Sequence, residues 1–264
     1  MNYAVWLIGL SLLFILVERV WPRSPQKLLR RGIVSDVAYL VFNSEYLGVL
    51  IGALSIHAVA WLDRTMDLLR LREVFYLGVM SGHSFAVQFV VLLLVFDFAQ
   101  WGIHNLLHRV PILWRFHRVH HSIEEMDWIG NWRFHGVEVI VYRALLYPCA
   151  AFFGFGVEAM FTYGVFNTLI GHFAHANLRA RIGWLRYLIN SPEMHIWHHT
   201  HPDSGPMNRN FGIALSVWDW VFGTAYLPAA AIPARLGFTG IEAFPKNIVT
   251  QTLAPLLWDG RGKQ

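Results

Sequence analysis

An all-α, polytopic membrane protein with four to five transmembrane or re-entrant helices is the fold class this sequence predicts. Three observations predict it. The 264 residues are 55% hydrophobic and only 14% charged. Their mean hydropathy of +0.41 is high for a soluble domain. The apolar residues gather into runs near the ~20-residue length that crosses a bilayer. No linker, repeat or low-complexity tract interrupts them, so the chain reads as one integral membrane domain over residues 1–264. Within it, 1–90 is an N-terminal transmembrane region, 91–225 a core and 226–264 a tail. The single cysteine, Cys149, excludes a disulfide framework and a thiolate metal site. The net charge of +4 comes from Lys and Arg scattered beside apolar runs. With no basic stripe and no nucleic-acid motif, it reads as membrane topology and not as nucleic-acid binding.

The first run, Met1 to Val17, carries no charge. It lacks the basic start of a cleaved signal and is expected to remain as an anchor. Arg19, Arg23, Lys27, Arg30 and Arg31 follow, against Glu18. The positive-inside rule puts that loop in the cytoplasm. A second run, Val37 to Leu62, is charged only at Glu45, and Trp21 and Trp61 stand at interface depth. A third, Val74 to Phe96, is expected to continue unbroken into Asp97 and the first histidine pair. The fourth and fifth, Val139 to Phe155 and Ala159 to Leu178, meet at a Gly154-Phe155-Gly156 turn. They are short enough for a re-entrant or tilted hairpin. In the tail, Ile248 to Trp258 is expected to lie on the membrane surface. Counting passes from the N-terminus places every histidine cluster on the cytoplasmic side, with the basic loop.

Nine of the fourteen histidines are clustered. They are His104 and His108, then His117, His120 and His121, then His195, His198 and His199, with His175 a little upstream. A helix advances about 100° per residue, so H-x-x-H-H confines three imidazoles to roughly 100° of arc. Rings converging this way suit iron, zinc, copper or nickel. One zinc takes about four ligands, so nine rings imply two ions, or one ion with spectators. Asp97, Gln100, His104 and His108 form one helical stripe. An acid at the end of a membrane helix needs a partner, and Asp97 is expected to orient a ligating ring; the alternative is a capping acid at the interface. Glu138, Glu193 and Asp219 lie near the clusters in sequence and would offset cationic charge. His135 and His172 are additional ligand candidates. His201 is expected to face solvent, and His57 and His83 to be structural.

Together these residues resemble the fatty acid hydroxylase superfamily, which includes sterol desaturases and alkylglycerol monooxygenase-like proteins. Asp97 to Ser122 looks like its first two histidine boxes. Arg133-Phe134-His135 with Glu138 is similar to the R-F-H-P-x-E element, and His175-Ala176-Asn177 to H-S-N. Pro192 to His199 is similar to the last box, Asn210-Phe211-Gly212 to N-Y-G, and Trp218 to Thr224 to W-D-x-x-F-G-T. The likeness runs from about residue 90 to 250. Asn105 stands where Arg is frequent, Gly136 where Pro is usual, and His172 is an extra histidine. The resemblance implies a membrane-embedded, histidine-rich di-metal site, which the count of spans puts on the cytoplasmic side. It implies two iron ions there, with zinc as a possible substitute, and O₂ as co-substrate for attack on a lipid C–H bond.

The expected activity is hydroxylation or desaturation of a membrane lipid entering sideways from the bilayer: a sterol, fatty acyl chain, ether lipid or aminolipid. No dinucleotide fingerprint or haem-attachment motif is present. Electrons are therefore expected from an external donor, a cytochrome, ferredoxin or reductase. The bacterial inner membrane and the endoplasmic reticulum both fit. The competing class is a membrane metal-binding protein or transporter without redox activity, whose ligands would follow a polar path at mid-membrane depth. A bis-histidine cytochrome would need paired rings on opposing spans. A membrane zinc hydrolase would need H-E-x-x-H, which is absent.

Overall fold

The computed structural model describes residues 2–229 and 231–257. Met1 and Trp258, the outer ends of the first and last apolar runs, lie outside the described residues. Among those residues every regular element is helical, and strand pairing is limited to isolated bridges such as Pro22 with Leu178 and Ile189 with Leu215.

Four stretches are long and apolar enough to cross a membrane. The first is α1, Tyr3–Val20, started by the Asn2 side chain accepting the Ala4 N–H. The second is a 36-residue run over Ile33–Leu68. It comprises α2 (Ile33–Val41), a π-helical turn (Phe42–Tyr46) and α3 (Leu47–Leu68). The wider turn holds Asn43, whose amide donates to the carbonyls of Trp132 and Phe134 at 3.0 Å each. The third is α5, Phe85–Arg109, and the fourth α7, Gly136–Phe153. A further apolar helix, α8 (Val157–His175), packs against α1 and α5.

The third span starts later than its apolar run suggests. Residues 76–84 form a turn after the short α4 (Arg72–Phe75). Gly78 takes φ 58°, and the backbone N–H groups of Gly78 and Met80 donate to the carbonyls of Phe152 and Phe153. Gly154 ends α7 at φ 71°, where a Cβ would meet the Gly78 Cα at 2.8 Å. Two connections thus meet at the end of the bundle opposite the histidines. α5 in turn carries the span and the first histidine pair on one unbroken helix.

Leu92, Phe96, Leu146, Ala150, Ala159 and Tyr163 fill the space between α5, α7 and α8. The opposite face of α5 exposes Val87, Val90, Leu94 and Phe98, and α1 exposes Trp6, Ile8, Leu12 and Leu16. These are faces suited to lipid. After Arg109 the chain breaks at Val110 (φ −94°, ψ 113°), the extended conformation that a following proline favours. Pro111 then opens α6, Pro111–His121, which folds back on α5. Pro192 opens α9 (Pro192–His198) in the same way. Short α10 (Val217–Val221) follows. In the tail, α11 (Ile248–Leu257) does more than lie on a surface. It packs on α2 and α6 and buries Gln251 and Ala254.

Candidate metal centre

The clustered histidines converge at one end of the helices, in two groups. His104, His108, His117, His121 and His198 form one, and His120, His175, His195 and His199 the other. In each group the ligand nitrogens all lie within 4.8 Å of one another, and every ring is buried. The H-x-x-H-H triplets do not serve one group each. His117 and His121, four residues apart, share a face and a group, while His120 turns to the second group. In the last box His195 and His199 stay together and His198 crosses to the first. The 100° step between adjacent residues separates each His-His pair, and the two pairs interlock the groups.

The rings face one another through Nε2. In the first group, His104 to His117, His117 to His108, His108 to His121 and His121 to His198 are each 3.1 Å. In the second, His120 to His175, His175 to His195 and His195 to His199 are 3.1–3.3 Å. A neutral imidazole has one N–H. Five rings spend theirs outward through Nδ1: His104 to the Phe211 carbonyl (2.8 Å), His198 to that of Arg209 (2.8 Å), His175 to that of Gly171 (3.0 Å), His120 to that of Arg133 (3.3 Å), and His117 to the Glu138 carboxylate (2.9 Å). His104 and His117 therefore oppose lone pair to lone pair at 3.1 Å, as do His120 and His175 at 3.3 Å. In that arrangement no ring proton bridges either pair, and a shared cation satisfies both lone pairs. With metal–nitrogen bonds of about 2.1 Å, neighbouring ligands ~90° apart lie ~3.0 Å from each other. The donor set fits two ions that favour imidazole.

Burial, reinforced by the neighbouring rings, holds protonation of His117, His120, His121, His195, His198 and His199 well below the ordinary histidine range. The rings are thus neutral and ready to ligate. A cavity of about 40 Å³ opens beside them, walled by Asn131, Phe134, Tyr142, Gly171, Ala174 and Ile213. It has room for a water-sized molecule.

The Arg133 to Glu138 element works as a unit. The Phe134 ring stacks on His120 at 4.6 Å and 13°. Glu138 receives the His117 N–H, and the Arg133 guanidinium bonds Asp36 and the Ser122 carbonyl. His135 joins neither group. Its Nδ1 caps α7 by accepting the Val137 N–H, and its Nε2 donates to the Thr252 carbonyl at 3.0 Å. His172 also stays outside both groups, beside Asn131 and the rings of Phe14 and Trp128. Three residues from His175, it is turned about 60° around α8, toward α1 and residues 128–132.

Among the described residues, Asp97 makes no hydrogen bond to an imidazole. It is fully buried and accepts from the N–H groups of Ala214 (2.8 Å) and Leu215 (3.1 Å) and the indole of Trp218 (2.9 Å). Asp219 holds the preceding stretch, accepting from Phe211, Gly212, Trp101 and Thr224. Together they pin residues 211–219 to α5 and so place the Phe211 carbonyl at His104. Glu193 faces outward to Arg181 at 3.6 Å. His201, expected in solvent, is 4% exposed. Its N–H donates to the Arg235 carbonyl and its Nδ1 accepts from Asp203, because residues 235–237 cover it.

Sequence reasoning missed an inner set of charges. Arg30 bonds both Asp127 and Asp36, and Asp36 bonds Arg133, behind the carbonyl that His120 meets. Glu18 accepts from Trp128 and Asn177, beside His175. Glu18 and Arg30 read as topology charges. The available signal was an acid at the end of an apolar run, as at Glu18 and Asp36.

A family model described as fatty acid hydroxylase matches residues 89–224, more than half of the chain. The chain is 31% identical over 176 residues to ornithine lipid hydroxylase OlsE of Rhizobium tropici, covering 67% of this chain and 52% of that one. It is 28% identical over 128 residues to alkylglycerol monooxygenase of Homo sapiens, covering 48% of this chain and 28% of that one. It is 23% identical over 139 residues to very-long-chain aldehyde decarbonylase GL1-5 of Oryza sativa subsp. indica, covering 48% and 22%. The chain thus spans about half the length of the first of these relatives and less of the others. No solved structure matches significantly.

Proposed function

The chain belongs to the fatty acid hydroxylase family, and from that premise we propose that it is a di-iron, oxygen-dependent hydroxylase of a polar membrane lipid. The family and the hydroxylase and monooxygenase relatives support a membrane enzyme of the lipid hydroxylase and monooxygenase type. One observation supports the two-metal reading above others, the convergence of nine Nε2 atoms in two groups, with the N–H of five rings turned outward through Nδ1. Five rings would hold one ion and four the other. Bound iron would supply the activation of O₂ for attack on a C–H bond.

The chain's own residues set the conditions for that chemistry. Carbonyls and Glu138 fix which ring nitrogen is bare and raise its basicity. Phe134 and Ile213 keep the cavity wall apolar, which excludes bulk water. The relatives' names favour hydroxylation over desaturation and an amino- or ether-lipid class. Electrons come from a separate donor, a cytochrome, ferredoxin or reductase, and zinc can replace iron on overexpression. The basic loop shares the histidine end of the bundle, since Arg30 meets Asp127 and Arg23 meets the Pro192 carbonyl. That supports a cytoplasmic site, in a bacterial inner membrane or endoplasmic reticulum, within one domain.

Metal analysis of active protein tests the reading, together with lipid mass spectrometry of cells with and without the gene. Two ions per chain, iron in the active form, and a gain of about 16 mass units in a lipid are expected, the mass of one inserted oxygen. One ion or fewer overturns the two-metal reading. A loss of about 2 units makes the enzyme a desaturase.

A further inference from the structure

The segments at Gly183–Tyr187 and Val217–Val221 carry a surface that the metal centre does not explain. Trp184 is 69% exposed, Val221 65% and Phe222 52%, with Trp220 and Tyr187 beside them at 38% and 44%. The two segments are joined, since Trp220 donates to the Arg186 carbonyl and lies 4.8 Å from the Tyr187 ring. This surface is also continuous with the lipid-facing side of α5. Phe222 packs on Trp101 at 4.7 Å and on Phe98 at 5.9 Å, and Phe98 meets Trp218 at 5.0 Å. Phe98 follows Leu94, already exposed on the apolar face of the span. Basic groups flank the aromatic ones. The Arg186 guanidinium lies 5.1 Å from the Tyr187 ring, Arg209 bonds the Gly223 carbonyl at 3.1 Å, and the exposed Arg181 lies 3.6 Å from Glu193.

We propose that these two segments form an interfacial platform, seated in the headgroup layer of a bilayer that carries anionic lipid, alongside the membrane end of α5. Tryptophan and tyrosine favour that layer because one end of the ring is apolar and the other polar. Arginines beside them meet lipid phosphates. An exposed apolar patch contiguous with a lipid-facing helix is stable in lipid and costly in water. The platform is also wired to the metal centre. Asp219, on α10, holds Phe211 and Gly212, and the Phe211 carbonyl receives the His104 N–H. Seating the platform fixes the height of the histidine groups above the lipid chains. The inference rests on the membrane reading and not on which metal or substrate is used.

The test uses the full chain in a Cys149→Ala background, labelled with an environment-sensitive fluorophore at Val221→Cys. Leu16→Cys on α1 marks lipid, and Asp203→Cys marks water. The protein is reconstituted in nanodiscs of phosphatidylcholine alone or mixed equally with phosphatidylglycerol. Quenching by a doxyl-labelled phosphatidylcholine and by aqueous iodide is measured at each position. Doxyl quenching at 221 is expected to match that at 16, with iodide quenching several-fold below that at 203. Phosphatidylglycerol is expected to deepen the effect, and the Arg181→Gln/Arg186→Gln variant to remove that dependence. Iodide quenching at 221 equal to that at 203 overturns the platform. Protection from both quenchers also overturns it, because a protein partner or a second copy then covers the surface. Equal quenching with and without phosphatidylglycerol overturns the anionic preference. If Leu16→Cys itself escapes the doxyl lipid, the membrane reading fails and not the platform alone.

Discussion

Replacing Asp219 by Asn tests whether the loop that carries Phe211 holds the first histidine group in place. One carboxylate oxygen accepts from the Phe211 N–H (2.9 Å), the Trp101 indole (3.1 Å) and the Thr224 hydroxyl (2.6 Å), and the other from the Gly212 N–H (2.7 Å). An amide has a single acceptor oxygen. Set toward the three donors, it turns its NH₂ onto the Gly212 N–H; set the other way, it opposes the Phe211 and Trp101 N–H groups. The better choice still loses one charge-assisted bond, about 1.5–3 kcal/mol, or roughly 10- to 150-fold in an equilibrium constant. A Cβ at Gly212 would already lie 2.4 Å from the Leu215 carbonyl oxygen, so the loop has little room to readjust. The loss therefore passes to the Phe211 carbonyl and to the orientation of His104. Competition with a chromophoric chelator measures metal affinity, and thermal unfolding of the metal-free protein measures the loop. Asp219→Asn lowers both, and Asp219→Ala, which abandons all four donors, lowers them further. An Asn variant with native affinity and native melting temperature refutes the reasoning.

Other substitutions rank around that one. His198→Ala strips metal from the five-ring group and His120→Ala from the four-ring group, each with loss of activity; retention of two ions by either breaks the assignment. Asp97→Asn loses one charge-assisted bond to residues 214–218, about 1.5–3 kcal/mol, so the metal-free protein folds but is less stable, as checked by thermal unfolding and circular dichroism. His201→Ala keeps both ions but melts earlier, by about 0.5–3 kcal/mol, because its ring is buried; loss of metal would place it in the centre. Acid destabilises the metal-free protein. The six buried rings of α6 and of residues 195–199 protonate less readily folded than at the ordinary value of 6.5. Stability is therefore complete above about pH 6.5 and falls as the pH drops below it, and a flat melting temperature down to about pH 5.5 contradicts this. Cysteines at Ser24 and Ser204 label from the same side of the membrane, and opposite accessibility overturns the span count.

Much of this architecture is legible along the chain, because membrane spans and helical stripes are local properties. Apolar runs of bilayer length identify α1, the run over Ile33–Leu68, α5 and α7. The i, i+4 spacing alone pairs His104 with His108, His117 with His121 and His195 with His199, since four residues return to the same face. The apolar run begins before α5 does, because hydropathy does not register that Gly78 turns at φ 58°. Only the tertiary structure decides which group His120, His175 and His198 enter, because each crosses from its own helix to rings on another. It alone shows that Asp97 acts on a loop more than 100 residues downstream, and Asp219 on that same loop, not on a ring. His201 is buried by a segment over thirty residues downstream, and Arg30 and Asp36 are drawn under Arg133 from the N-terminal third. Burial and the second partner of a buried charge are set by long-range packing, which leaves no periodic trace in the sequence that makes it.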